Sequence, residues 1–237
     1  MVKRLFDLVV TALALLASIP ILVVAAFGIR LSSPGPVLHR ATRAGKRGRL
    51  FVMYKLRTMD SRAGVLTSSV ITANRDPRVF PFGALLRRSK VDELPQLFNI
   101  LRGDMTVVGP RPEDPKVVAQ HYTPEQWETL DVVPGLTSPG ALYSTTHGES
   151  VLSERNAERD YYEHLLPMKL ALDRVYIRRA SLGYDLRVIA RTAAVIAGRA
   201  LGRRHFADPP EMDAARRLID STLHPLFPVT TQGPRPA

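Results

Sequence analysis

The sequence predicts an α+β, helix-rich fold. A kinked, re-entrant membrane helix at the N-terminus precedes a compact cytoplasmic domain with a short sheet and amphipathic interfacial helices. Three observations carry this reading. Residues 8–29 contain no charged side chain, and a bilayer core needs about 20 such residues as a helix. Basic residues flank that run on both sides. Beyond it, helical apolar spacing recurs in several segments, while clear strand alternation is confined to a few. The expected division is 1–36 for the membrane helix and its turn, 37–204 for the cytoplasmic domain and 205–237 for a proline-rich tail.

In the first segment, LVVTALALLASIPILVVAAFGI, only Thr11 and Ser18 are polar. Lys3 and Arg4 precede it, but the run exceeds the roughly 7–15 apolar residues of a signal peptide. The Arg30-Leu31 flank also lacks a small-residue cleavage site. Pro20 removes a backbone donor near the middle and predicts a kink, with Ser18 close enough to help satisfy the broken turn. Arg30, Arg40, Arg43, Lys46, Arg47 and Arg49 follow the run. The positive-inside tendency would keep both flanks in the cytoplasm, which suits a helix that enters and returns. A kinked single-pass helix is the competing reading, and the segment alone does not choose between them.

The turn residues Ser32 to Pro36 end this helix. Leu38 to Arg49 reads as a polar, basic stretch, and the alternation from Leu50 to Thr58 reads as a strand. Asp60 to Pro77 reads as loop, with β-prone residues around Val70 to Thr72. Helices are predicted over Phe82–Lys90 and Asp92–Leu101, a short strand over Thr106–Pro112, and a short helix over Pro124–Leu130. Pro134 to Gly140 reads as a turn-rich loop. Helices are again predicted over Ala157–Leu166, Leu170–Ile177 and Tyr184–Leu201. In the last of these, Leu186, Ile189, Ala193, Ile196 and Ala200 form a stripe suited to the headgroup layer or to the domain core. From His205 onward six prolines interrupt any pattern, and the terminal TTQGPRPA is expected to be disordered.

The 237 residues allow one domain of ordinary size with appendages. Lys and Arg number 33 against 22 Asp and Glu, a net charge of +11. That balance points to an anionic partner: nucleic acid, a phosphorylated ligand or an acidic lipid surface. The absence of cysteine excludes a disulfide scaffold, a thiolate metal site and cysteine nucleophilic catalysis.

The chemistry concentrates in FGALLRRSKVDELPQLFNILRGDMTVVGPRP, residues 82–112. On a helix, Leu94, Leu97, Phe98 and Leu101 share one face and Asp92, Gln96 and Asn99 the opposite one. Pro95 is tolerated only in a first turn, so Asp92 is expected at the helix start, where the macrodipole favours its ionised form. Glu93 stands beside it. Arg87 and Arg88 lie just upstream, and Arg111 is held between two prolines. Adjacent carboxylates ringed by guanidinium groups suit a phosphorylated substrate and a hard divalent cation. Glu113 and Asp114 read as a solvated loop, Asp173 and Asp185 as partners of neighbouring arginines, and Trp127 as a small hydrophobic anchor. Gly103 and Asp104, with Arg102, read as the cap and turn after the dyad helix. The six histidines show no close metal-ligand spacing.

YKLRTM, DELPQLFN, RGDM and GPRP at this spacing resemble the bacterial monotopic phosphoglycosyl transferases, the initiating sugar transferases of surface-polysaccharide assembly. The similarity runs from KRLFDLVV to near Ala193. It implies transfer of a sugar-1-phosphate from a nucleotide (UDP) diphospho-sugar to a polyprenyl (undecaprenyl) phosphate at the cytoplasmic face of the bacterial inner membrane, without nucleic acid. It also implies that Asp92 is the nucleophile that forms an aspartyl-phosphosugar intermediate. Glu93 would hold Mg²⁺, for which Mn²⁺ substitutes. Arg87 and Arg111 would bind phosphate, and Lys55 and Arg57 match the family's basic strand. The pattern departs at Ser18-Ile19-Pro20, where the family's small members have adjacent Ser-Pro, and at PGLTSPGAL, where many members carry a Trp. The competing class is a non-catalytic basic protein that binds a membrane surface or nucleic acid. It is opposed by the Asp-Glu pair, which repels phosphate without a metal, and by the absence of any nucleic-acid-binding signature.

Overall fold

A computed structural model describes residues 2–60, 76–153 and 156–223. The expectations for Val70–Thr72 and for the terminal TTQGPRPA lie outside the described residues. The chain opens with α1 (Val2–Ser32), a single helix that contains Pro20. Ser18 Oγ donates to the Leu15 carbonyl at 2.9 Å. The acceptor that loses its partner at Pro20 is that of Leu16, four residues back, so Ser18 does not repair that turn.

The burial of α1 is inverted relative to a soluble helix. Asp7, Thr11, Ser18, Ala25 and Ile29 are buried, a stripe at helical spacing that includes its polar side chains. Leu5, Leu13, Leu16, Val23, Val24 and Phe27 are exposed. The stripe is anchored along its length. Asp7 accepts from Thr106 Oγ1 at 2.6 Å and from the Val107 amide at 3.2 Å. Lys3 pairs with Asp185 at 2.5 Å, and Arg4 donates to the carbonyls of Ile100 and Leu101. At the other end Ala25 and Ile29 join Leu56, Phe80 and Leu86 in a buried cluster. Both ends of α1 therefore pack on the same domain.

The domain carries two small sheets. β1 (Leu38–Ala44) and β2 (Leu50–Leu56) form an antiparallel hairpin in the register Ala41↔Met53. β1 falls in the stretch read as merely polar. It is a mostly exposed strand, so His39, Arg40 and Arg43 hide its alternation. β3 (Thr106–Val108) and β4 (Gly135–Thr137) pair in parallel. Gly135 is required there: a Cβ would stand 2.1 Å from the Gly109 nitrogen. The segment read as a turn-rich loop thus contains a strand, followed at once by α5 (Pro139–Val151). Ser138 caps α5 by accepting from the Ala141 amide, and Pro139 takes the first helical position.

The other helices are α2 (Pro81–Arg88), α3 (Gln96–Arg102), α4 (Pro115–His121), α6 (Ala157–Asp160), α7 (Leu166–Arg179), α8 (Leu182–Ala200) and α9 (Met212–Leu223). A π turn, Tyr161–Leu165, joins α6 to α7, and Pro124–Leu130 is a 3-10 helix. The short helix expected at Pro124–Leu130 is thus present in the tighter form, and Trp127 on it is half exposed rather than an anchor. α9 corrects the reading of the proline-rich stretch. Pro209 and Pro210 precede the helix rather than interrupt it, and Ala215 is buried with Ala171, Leu172 and Val175 of α7. The central core joins Met53, Leu97, Ile100, Met105, Val108, Tyr176 and Val188, with Val10, Ala14 and Leu15 of α1 against it.

Candidate active site

The dyad does not open an α-helix. Asp92 and Glu93 lie in a 3-10 turn, Val91–Glu93, and α3 begins only after Pro95. Lys90 precedes the turn with φ +59°, a left-handed backbone uncommon outside glycine. This sharp reversal separates α2 from the dyad and brings both helices' ends to one place. The expected apolar face is also revised. Leu97 and Ile100 are buried, whereas Phe98 is about half exposed and Leu101 borders on exposed. Gln96 and Asn99 are wholly buried rather than turned outward. Asn99 accepts from the Tyr54 amide at 3.0 Å and donates to the Val52 carbonyl at 2.7 Å. Its amide thereby continues the edge of β2 and ties the dyad segment to the hairpin. Gly103, at φ +89°, ends α3 in the turn expected there.

Glu93 is the most tightly held residue of the site. Arg111 donates to it in bidentate fashion, Nη2 to Oε1 at 2.6 Å and Nη1 to Oε2 at 3.1 Å. Lys90 and Lys55 stand 3.6 and 3.7 Å from Oε1. Burial alone would raise the Glu93 carboxyl, but Arg111, Lys90 and Lys55 hold it well below the usual carboxylate range. Asp92 behaves oppositely. Its Oδ1 is buried without a hydrogen-bond partner. Burial and the neighbouring Glu93 charge raise its pKa, while Lys55, Lys90 and Arg87 pull it down. Desolvation lowers the Lys55 ammonium to about 8, with Glu93 and Asp92 opposing that shift and Arg111 adding to it. Arg87 is fixed by its Nε, which donates to Thr58 Oγ1 at 2.8 Å.

Arg111 owes its direction to the parallel β3–β4 pair. The Gly109 amide donates to the Thr137 carbonyl at 2.9 Å and the Gly135 amide to the Pro110 carbonyl at 2.8 Å. Arg111 Nη1 also lies 3.4 Å from the Leu136 carbonyl. The Trp-less PGLTSPGAL segment therefore forms the frame that supports Arg111.

Arg57 has a different position from the one expected. β2 ends at Leu56, so strand alternation no longer places residue 57 beside Lys55. Its Nε donates to the Pro36 carbonyl at 2.6 Å, Nη1 to Ser33 Oγ at 2.7 Å and Nη2 to the Ser33 carbonyl at 2.7 Å. These bonds fasten the end of α1 to the domain, and Arg57 lines neither of the two cavities beside the dyad.

Two cavities adjoin the dyad. The first, of about 360 Å³, is lined by Arg43, Lys55, Arg87, Lys90, Arg111, Lys169 and Arg199, with Glu113, Glu149, Ser144 and Thr145. The second, of about 340 Å³, includes Glu93, Lys90 and Arg111 at one side and is otherwise largely apolar. Asp92 lines neither. Lys90, Arg43, Lys169 and Arg199 were not singled out by sequence reasoning. The Lys90 signal was present, three residues before Glu93; the others come from distant segments. Glu113, read as solvated, is partly buried and bonded to Lys169 Nζ and to Tyr161 Oη. Asp185 pairs with Lys3 and with Tyr176 Oη, and Asp173 accepts from the Gly140 amide. Neither has an arginine side chain as its partner in these bonds.

A family model of the bacterial sugar transferases matches residues 1–199. The chain belongs to that family. The undecaprenyl-phosphate glucose phosphotransferase of Komagataeibacter xylinus is 38% identical over 195 residues, covering 80% of this chain and 35% of the relative. The UDP-glucose:undecaprenyl-phosphate glucose-1-phosphate transferase of Xanthomonas campestris pv. campestris is 38% identical over 204 residues, covering 83% and 39%. The chain thus spans little more than a third of those two relatives. The exopolysaccharide production protein PSS of Rhizobium leguminosarum bv. phaseoli, 35% identical, is covered over 92% of its length, and 80% of this chain is covered in turn.

The dyad fits a divalent cation in one particular way. Among the described residues no three His, Asp, Glu or Cys side chains cluster as a metal cage. Glu93 is already in a bidentate ion pair, and Asp92 Oδ1 is the unpaired carboxylate oxygen. Such a donor set suits Mg²⁺ that arrives with phosphate oxygens of its own, since Mg²⁺ takes one or two carboxylates and completes its shell with phosphates and water.

Proposed function

We propose that this chain transfers a sugar-1-phosphate from a nucleoside diphosphate sugar, UDP-linked, to a polyprenyl phosphate, undecaprenyl phosphate in bacteria, and so initiates a surface glycan. The observation that carries this reading is the Asp92–Glu93 pair, Asp92 buried and Glu93 partly so, held among Arg87, Lys90, Lys55 and Arg111 beside a strongly basic cavity. Arg87, Lys90 and Arg111 grip the diphosphate, Arg by planar two-point contacts. A carboxylate oxygen of Asp92 attacks the sugar-proximal phosphorus. The bond from that phosphorus to the bridging oxygen breaks, and its electron pair leaves with the nucleoside monophosphate. The acceptor's phosphate oxygen then attacks the same phosphorus, and the Asp92 carboxylate departs. Glu93, with Asp92 Oδ1, is where Mg²⁺ would be held; the ion would neutralise the diphosphate as it approaches two carboxylates.

This reading is tested by a donor panel with undecaprenyl phosphate, read by nucleotide product. Nucleoside monophosphate release should require Mg²⁺ or Mn²⁺ and vanish in EDTA. Full activity in chelator removes the metal from the mechanism. No release from any nucleotide sugar, together with salt-sensitive nucleic-acid binding, would favour the non-catalytic reading.

The membrane assignment rests on α1. Its apolar face is uncovered, and its two ends pack on one domain, which a helix crossing a bilayer cannot do while that domain stays in water. The packing of α1 therefore supports a re-entrant or in-plane helix in the cytoplasmic leaflet of the inner membrane. The cysteine-free chain permits a direct check with single cysteines at Val2 and Lys46. Both should react from the cytoplasm only; periplasmic labelling at Val2 with cytoplasmic labelling at Lys46 means a spanning helix.

A further inference from the structure

We infer that the apolar cavity beside Glu93 is the seat of the acceptor's hydrocarbon, the isoprene units nearest its phosphate. This inference rests on the two-substrate reading above. The cavity is amphipathic by position. Lys90, Arg111 and Glu93 stand at one side, and Ala141 and Leu142 of α5 with Ile189 and Ile196 of α8 supply apolar walls. A donor sugar nucleotide has no long hydrocarbon to bury there. The acceptor joins a phosphate to a hydrocarbon chain, and removing that chain from water is favourable.

Two further observations select this occupant. Lys90, Arg111, Ser144 and Thr145 line both cavities, so a phosphate entering from the apolar side meets the same cations as one entering from the basic side. That is the arrangement two successive attacks at one phosphorus require. Several wall residues, Leu94, Leu136, Ile189 and Val195, belong to the cluster that also packs Val10, Ala14 and Leu15 of α1. The cavity wall thus shares one apolar cluster with the long apolar helix, beside which the rest of a polyprenyl chain would continue among lipids.

The α8 stripe takes on a role in this account. Ile189, Ala193 and Ile196, at helical spacing, face the cavity, and Leu186, one turn earlier, is exposed. The stripe thus continues from the cavity wall to the surface of the domain.

Ala193→Trp and Ala141→Trp, made singly in the full chain, narrow the cavity from opposite walls. Each should raise the KM for undecaprenyl phosphate at least tenfold, while the donor's KM and the nucleotide released per enzyme without acceptor stay within twofold. Unchanged acceptor KM in both variants overturns the inference. A raised donor KM with loss of that single-turnover release also overturns it, because the cavity then belongs to the donor. A measurement on the wild type guards against misfolded variants. A polyprenyl phosphate bearing a diazirine on its second isoprene should label peptides of α5 and α8, and unlabelled undecaprenyl phosphate should compete. Labelling confined to α1 defeats the proposal. If the wild type releases no nucleotide without acceptor, the two-step reading fails, while the labelling still reports whether the cavity holds the lipid.

Discussion

Asp92→Asn should lose turnover on the order of 10⁴-fold or more, the scale seen when a catalytic nucleophile is removed, with the protein still folded and inserted. The substitution keeps size and shape but removes the anionic oxygen that the proposed mechanism uses to attack phosphorus. The structure explains why folding should survive. Asp92 is buried with Oδ1 unpartnered, and burial together with Glu93 raises its pKa. Its charge is therefore a liability for stability, and a neutral amide relieves it. Glu93→Gln differs: it breaks a bidentate pair with Arg111, so both rate and stability should fall. Wild type incubated with UDP-sugar and no acceptor should carry a phosphosugar on the peptide containing Asp92, read by mass spectrometry. Near-normal turnover in Asp92→Asn, with no adduct trapped, would mean that the acceptor attacks the bound donor directly.

The parts of the site that lie within one stretch were legible in the sequence. Asp92, Glu93, Arg87 and Arg111 fall inside residues 82–112, and Lys55 sits on a strand whose alternation is visible. Arg57 marks the edge of that legibility. The family resemblance put it with Lys55 on a basic strand, and the alternation ran to Thr58, but β2 stops at Leu56, and where a strand ends is set by tertiary contacts. Arg43, Lys169 and Arg199 reach the basic cavity from β1, α7 and α8, and no local pattern assigns them. β1 was hidden by its exposure, since a strand with little buried face has little apolar alternation to show. α5 and α9 were hidden by prolines that read as breakers. Both helices follow prolines, at Pro139 and at Pro209-Pro210, and proline at a first helical position is a start signal.

The revised face of α3 has the same origin as the inverted α1. Periodicity tells which residues share a face, not which face is inside. In a soluble helix the apolar side turns inward, and that assumption sent Phe98 and Leu101 to the core and Asn99 outward. Here Asn99 pairs with the β2 backbone, while Phe98 lies outward, as does the apolar side of α1. The proposed bilayer on that side of the protein would reverse the usual inference, and the uncharged run at residues 8–29 is the sequence feature that suggests it.

Arg111→Lys should lower kcat/KM on the order of 10²-fold, the loss typical when one preorganised transition-state contact is removed, although the charge is retained. Lysine is the informative replacement. Alanine would leave the partly buried Glu93 without its bidentate partner, a loss that destabilises the fold and confounds the kinetics with unfolding. An ammonium preserves the attraction but cannot span both Glu93 oxygens as Nη1 and Nη2 do at 3.1 and 2.6 Å, nor present a planar fork to a phosphate. Two cations, Lys55 and Lys90, already flank Glu93 as point charges, so a third adds little of what is lost. Arg57→Lys supplies the contrast. Its guanidinium binds Ser33 and the Pro36 carbonyl rather than the cavity, so that variant should lower the thermal midpoint while each folded molecule keeps its donor KM. Wild-type kinetics in Arg111→Lys would make Arg111 a structural partner of Glu93 alone. A raised donor KM in Arg57→Lys would return Arg57 to the phosphate site.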